Sequence, residues 1–409
     1  MFYPVRIGEG FHDRYQVVAK LGWGAHSTIW LCHDLHDGRL RVLINTLIKH
    51  NLELEIYQHL NSPALRQSDH GGKDYIRELY DYFSVEGPHR TRDVFVMRPL
   101  DAAVRDLQQR MPDRVFDHED VPDMLLELLL AIHFLHTEAK FTHTGQLSPT
   151  NTNIHTGNLL VDINNEDLFA KIKEDELRGD LCPRKDTGDR VIYTSKFLGG
   201  KPGHLYLCDV GNANLAGDNV RPAMPIQYRA PEIILGMEWG HSIDMWSVGM
   251  VLNVLAGVGY DAACGLFEVY DPEDEFMNDA LHLAAMIALL GPPPRKWRGI
   301  VPIPTNRTFE SLATKPEDKE ERQLIINFVS ALLSWLPEER LDSLQVYWVP
   351  ADHRLAVVHP EELGTERAGR EIPVKGGQRS CPSGILFQTV TDEPTEERPP
   401  PSIDDYLQD

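Results

Sequence analysis

Residues 14–48 alternate apolar and polar positions in short runs, interrupted at Gly22, Gly24 and Asp37-Gly38. Period-two alternation predicts half-buried strands, and Asp-Gly between two such runs predicts a tight hairpin. An antiparallel sheet is therefore expected first. The period then changes. From Asn51 to Leu60, Leu52, Ile56 and His59-Leu60 fall on one side of a short helix. Val94-Phe95-Val96-Met97 is a continuous apolar run, expected as a buried strand. Arg98-Pro99-Leu100 ends it and marks a hinge between a small first lobe and a larger second one. From Val121 to Thr137 the chain is apolar nearly all round, which predicts a central, buried helix. Asp120 is its expected N-cap, and Pro122 is tolerable in its first turn. Further helices are predicted over 242–256, 278–290 and 320–335, and a strand at Val191-Ile192-Tyr193. Residues 162–204 form a polar interruption. After Trp348 the chain becomes rich in Pro, Glu and Gly, so 349–409 is expected to be a largely disordered tail.

Composition narrows the class. A hydrophobic content of 42% over 409 residues supports a sizeable core. No apolar run approaches the roughly 18 residues of a membrane span, so no membrane association is expected. Met1 to Arg6 lacks a long apolar stretch, so no secretory signal is expected. The five cysteines (Cys32, Cys182, Cys208, Cys264, Cys381) are scattered and odd in number. That pattern suits a reducing compartment, cytoplasmic or nuclear, and fits neither a disulfide framework nor a zinc site. His133 and His136 share a helix face but read as structural. The formal charge of −22 argues against direct nucleic-acid binding and favours basic partners, although solubility alone accounts for it as well.

The candidate chemistry begins at Leu21-Gly22-Trp23-Gly24-Ala25-His26-Ser27-Thr28-Ile29-Trp30-Leu31. A strand, a glycine turn and a strand can lay backbone N–H groups over a nucleotide's phosphates, because glycine has no Cβ to hold the backbone away. Alone, Gly-x-Gly is as often an ordinary turn. Far downstream come Cys208-Asp209-Val210-Gly211 and then Tyr228-Arg229-Ala230-Pro231-Glu232. The three in this order form the protein-kinase set of motifs. The chain resembles eukaryotic protein kinases and, more narrowly, the SR-protein kinases of the fungal type. Ser27 stands where most kinases carry a third glycine. The lead-in Tyr3-Pro4-Val5-Arg6-Ile7-Gly8, the stretch Pro183-Arg184-Lys185 with Ile192-Tyr193, Asp209-Val210-Gly211-Asn212-Ala213, and the block from His282 to Pro293 carry the narrower match. The resemblance spans about residues 3–345.

That resemblance implies an α+β, bilobal protein-kinase fold. Its parts would be a lead-in at 1–13, an N-lobe at 14–100, and a C-lobe at 101–348 with the family spacer at 162–204. It also implies ATP and Mg2+ as cofactors. Leu21, Gly22, Trp23, Gly24, Ala25, His26, Ser27 and Ile29 would cover the nucleotide. Met97 would be the gatekeeper, and Arg98 to Leu100 would offer backbone groups to adenine. Asn158 and Asp209 would hold Mg2+ as hard oxygen ligands. Counting back from Glu55, Arg41 takes the place of the strand lysine that pairs with a helix glutamate; Glu53 is the lesser alternative partner. Arginine for lysine is not conservative at such a site.

The catalytic loop departs most from the family. Thr142 to Thr144 fits its first half and Ile154 to Leu160 its second, with eight extra residues, Gly145–Thr152, between them. Asn153 then occupies the position of the catalytic aspartate, five residues before Asn158. An amide cannot accept the acceptor hydroxyl's proton, and losing a positioned general base costs about 10²–10⁴ in rate. The insertion is also expected to move His143 from its post. Glu232 is expected to pair with Arg340, and Asp244 to anchor the catalytic-loop backbone. Two readings stay open. One is a monomeric ATP-dependent serine/threonine kinase acting on Arg/Ser-rich proteins, with weakened transfer. The other is a pseudokinase that binds nucleotide or basic partners as a scaffold.

Overall fold

The structure is a computed structural model. It describes residues 2–24, 27–46, 52–87, 91–111, 115–116, 120–144, 154–163, 171, 174–175, 178, 183–188, 191–195, 202–211, 213–215, 223–255, 257, 266–267, 275–293, 308–313, 318–343, 345, 348–349 and 354–355. The chain divides into Met1–Pro373 and Val374–Asp409, and every described residue lies in the first unit. Nearly all of the expected tail therefore lies outside the described residues.

The first part is a six-stranded antiparallel sheet. Its strands are β1 (Gly10–Phe11), β2 (Tyr15–Trp23), β3 (Ser27–Asp34), β4 (Leu40–Thr46), β5 (Leu79–Glu86) and β6 (Thr91–Met97), in the order β1-β2-β3-β4-β6-β5. The Asp-Gly signal forms the β3–β4 turn, where Gly38 has φ 73°, a conformation that favours glycine. Helix α1 (Leu52–Leu60) follows β4.

Strand alternation gives the sheet two distinct faces. Tyr15, Val17, Trp30, Cys32, Leu43, Val94 and Val96 pack on the outer face, under Val5 of the lead-in and Tyr193. Ala19, Leu31 and Val42 pack on the inner face with Leu21, Ile29 and Ile44.

The second part is built on α2 (Asp120–Phe134), α3 (Ser242–Leu255), α4 (Glu275–Leu290) and α5 (Lys319–Leu332). The nearly all-apolar reading of α2 matches its burial, with Leu125, Leu128 and Ile132 at the centre of the main core. A Cβ on Gly249 would meet Leu333 Cδ2 at 2.8 Å, so glycine there permits the close approach of α3 to the end of α5. The expected Glu232–Arg340 pair is made by two charge-assisted bonds of 2.5 and 2.6 Å, both side chains fully buried.

Short ladders carry the loops. β7 (Phe141–Thr142) pairs with β12 (Asn214–Leu215), and β8 (Leu159–Ile163) with β11 (Pro202–Leu207). Between them, β9 (Arg184–Asp186) and β10 (Val191–Tyr193) form a hairpin inside the polar interruption. Its Tyr193 ring meets Trp30 edge-on at 5.8 Å, and its carbonyl accepts from Lys20 Nζ at 3.2 Å. Part of the polar segment thus covers the outer face of the sheet.

Candidate active site

The expected nucleotide cleft would lie between the inner sheet face and the β8–β11 ladder. Leu21, Ile29, Val42 and Ile44 pack together on the inner face that would roof it. Met97, fully buried, pairs with Val42 on one side and Leu79 on the other, so the gatekeeper position closes the back of the sheet. Leu100 packs with Leu160, Tyr206 and Cys208, which fastens the connector to the lower ladder. Arg98 turns its guanidinium to Asp162 at 3.2 Å and over the Tyr206 ring. At the glycine turn, Gly24 N–H donates to the Ser27 carbonyl at 2.9 Å, and Trp23 is 70% exposed. Ala25 and His26 lie outside the described residues.

Asn158 and Asp209 come together through strand register. Leu159 pairs with Leu207, and Cys208 N–H donates to the Asn158 carbonyl at 2.9 Å. Asp209 has φ 59°, a left-handed conformation that aspartate tolerates better than most residues. A Cβ on Gly211 would stand 3.4 Å from both Asp209 Oδ1 and Glu53 Cβ, so this glycine sits between the Asp209 carboxylate and α1. Burial pushes Asp209 up to about 6. Glu53 is pushed up to about 8 by burial and then by the Asp209 charge, with Arg77 acting in the opposite sense. Two crowded carboxylates beside an asparagine are a set of hard oxygen donors. A divalent cation would favour the ionised carboxylate, so Asp209 and Asn158 are residues that would hold Mg2+.

The start of the catalytic loop is held by Asp244 of α3. Its Oδ2 accepts from His143 N–H at 2.8 Å and from His136 Nε2 at 2.9 Å, and its Oδ1 from Thr144 N–H at 2.9 Å. His143 is fully buried and its Nε2 meets the Cys208 carbonyl at 3.2 Å. The expected displacement of His143 does not occur. Its partners, Asp244 of α3 and the Cys208 carbonyl after β11, hold His143 and Thr144 directly, ahead of the extra residues. Ile154 re-enters the core fully buried. Asn153 lies outside the described residues.

Arg41 and Glu55 are not brought together. Arg41 shares the parity of Leu43, on the face opposite Val42 and Ile44. Its guanidinium meets Asp37 at 2.6 Å and Asp34 at 3.8 Å, and lies 4.5 Å from the Tyr80 ring centroid. Glu55 is exposed, whereas Glu53 lies toward Asp209 on the helix side that also buries Ile56 and Tyr57. The count from Glu55 was two residues out on the helix and crossed the strand's parity. The apolar positions Val42 and Ile44, and the i, i+3, i+4 relation of Glu53 to Ile56 and Tyr57, were the available signals. Sequence reasoning also passed over Arg77, Leu160 and the role of Cys208 in the cleft floor.

No family model matches the chain. It is similar to a serine/threonine protein kinase of Aspergillus fumigatus, 30% identical over 365 residues that cover 83% of this chain and 84% of that protein. The serine/threonine-protein kinase SRPK of Physarum polycephalum is 26% identical over 395 residues, covering 91% and 88%. Protein kinase dsk1 of Schizosaccharomyces pombe is 26% identical over 379 residues, covering 71% and 68%.

Proposed function

This chain belongs to the serine/threonine protein kinases, in their SRPK-like branch, and we propose that it is a slow ATP-dependent kinase acting on serines of Arg/Ser-rich proteins. One observation carries the qualification. The cleft side of β4 offers Val42 and Ile44, and Arg41, its only basic residue, belongs to the other face. What supports a metal site is that the backbone brings Asn158 next to Cys208-Asp209, with Glu53 near Asp209 across Gly211. Mg2+-ATP, when bound, supplies the transferable phosphoryl group and neutralises the charge that develops on it. Leu21, Ile29, Val42, Met97, Leu100 and Leu160 would enclose the base, while Asp209 and Asn158 would hold the metal. Asn153 would position an acceptor hydroxyl without taking its proton. The acidic chain suits basic substrates, and we assign it to the cytoplasm or nucleus as a monomer.

A second reading, binding without transfer, is favoured by Ile44 together with Asn153. Phosphate transfer to an Arg/Ser peptide separates the two. A version lacking Gly145–Thr152 and carrying Asn153→Asp should be at least about 10²-fold faster than the natural chain, the effect of restoring a general base. Slow but measurable turnover by the natural chain supports the kinase reading. Turnover equal to that of the repaired chain would place the base elsewhere, and none at all leaves the scaffold reading.

A further inference from the structure

The polar excursion between β8 and β11 leaves and returns at one place. Ile163, at the end of β8, pairs with Pro202, at the start of β11. Asp162 fixes that base. Its Oδ2 takes Arg98 Nη2 from the connector at 3.2 Å, and its Oδ1 accepts from His204 N–H at 2.9 Å. A Cβ on Gly203 would stand 2.0 Å from Asp162 Oδ1, so glycine lets the carboxylate lie against the opposite strand.

The far end of the excursion is the β9–β10 hairpin, seated on the outer face of the sheet. Tyr193 is buried there. Its ring meets Trp30 edge-on at 5.8 Å, its carbonyl accepts from Lys20 Nζ at 3.2 Å, and its hydroxyl accepts from Ile7 N–H at 3.4 Å. Val191 joins the same apolar cluster. A lone two-stranded hairpin is marginal in water, so β9–β10 owes its order to the sheet it covers. The two limbs are unequal. Ile163 and Arg184 are 21 residues apart, room for about 70 Å of chain, whereas Tyr193 and Pro202 are nine apart, about 30 Å at most.

We propose that this hairpin is a strap between the sheet and the β8–β11 ladder, with Tyr193 as its pin and the short return limb as its working length. The sheet turns relative to the ladder about the connector at Arg98–Leu100. Any turn that separates Tyr193 from Pro202 must draw out the return limb or pull Tyr193 off Trp30 and Lys20. The strap therefore narrows the range of orientations that the sheet takes above the ladder. It acts whatever occupies the space between them.

The test is a distance measurement by double electron–electron resonance on the full chain. Spin labels go on Ser84→Cys of β5 and Lys319→Cys of α5, both exposed. Cys182, Cys264 and Cys381 are changed to serine, which leaves only the buried Cys32 and Cys208. The strapped chain should give one narrow distribution. Tyr193→Ala should widen it by more than about 2 Å, the scale of hinge movements. Tyr193→Phe keeps the ring and the carbonyl contact and should leave it narrow. Inserting about ten Gly/Ser residues between Gly199 and Gly200 lengthens the return limb, removes no side chain, and should widen the distribution as Tyr193→Ala does. The two changes together should widen it no further, because each releases the same element.

A hairpin that merely covers the apolar outer face predicts something else: Tyr193→Ala lowers the melting temperature, and neither change alters the distances. An unchanged distribution in either chain overturns the proposal. If Tyr193→Ala does not fold, the lengthened chain decides alone, since all contacts of Tyr193 remain in it. The readout needs neither nucleotide nor phosphate transfer, so its failure leaves the kinase reading standing.

Discussion

Replacing Asp244 by asparagine asks how firmly one carboxylate holds the start of the catalytic loop. The natural side chain is fully buried and accepts three hydrogen bonds of 2.8–2.9 Å, two on Oδ2 and one on Oδ1. An amide has one accepting oxygen. Its best orientation keeps the His143 and His136 bonds on that oxygen and turns an NH2 toward the Thr144 N–H. One bond becomes a donor–donor contact, and the other two lose their charge assistance. A bond to a charged group contributes about 1.5–3 kcal/mol, and a buried donor left unpaired costs about 1–3 kcal/mol. The expected loss is therefore about 3–5 kcal/mol, the range for breaking a buried charged cluster. At about 2 °C per kcal/mol for a domain of this size, the melting temperature should fall by roughly 6–10 °C. Urea unfolding at pH 7, followed by the emission of buried Trp246 on the same helix, measures it. The pH dependence gives an independent check. His136 and the loop N–H groups hold Asp244 below the usual carboxylate range. Its contribution is thus complete above the ordinary carboxylate value and is lost as pH falls through the depressed one. Asp244→Asn should flatten the stability profile below about pH 4. A loss under about 1 kcal/mol at pH 7 would refute the reasoning, because three charged bonds in a dry site cannot contribute so little.

Three further outcomes follow from the same geometry. His70 Nδ1 accepts from Gly72 N–H at 2.9 Å, so its Nε2 carries the proton donated to His133 Nδ1 at 2.7 Å, and both rings are neutral. Burial depresses both, so their contribution is full above about pH 6.5 and is lost as pH falls; melting temperature against pH should show this, and His133→Phe should flatten it. Mg2+-ATP should bind weakly, with Kd above roughly 100 µM. Asp209→Asn should remove the metal dependence in calorimetry, and tight binding that ignores Mg2+ contradicts the assigned site. An immobilised Arg/Ser peptide should retain the chain at low salt and release it once the Debye length shortens past about 10 Å; equal retention by an acidic peptide contradicts a charge-matched partner.

Local order was legible in the residues themselves. Alternation and Asp37-Gly38 announce the β3–β4 hairpin, and the apolar density of Val121 to Leu135 announces a buried helix, because these patterns depend only on neighbours along the chain. Glycine, Asp-x-Gly and Ala-Pro-Glu motifs were equally readable, since each motif contains most of its own geometry, whereas the pairing of Glu232 with Arg340 was expected only from the family resemblance. What the tertiary structure decided is facing. Whether Arg41 or Ile44 looks into the cleft depends on which sheet face is buried against the other half of the molecule, and a one-residue change of parity reverses the answer. Glu53 rather than Glu55 lies beside Asp209 for the same reason on a helix. His143 keeps its place because its partners, Asp244 and Cys208, both come from far downstream in the sequence, where counting residues through a loop carries no information. Arg77 acquired its surroundings only when Leu207, Arg98 and α1 were folded around it: a charge has no partner until the chain closes.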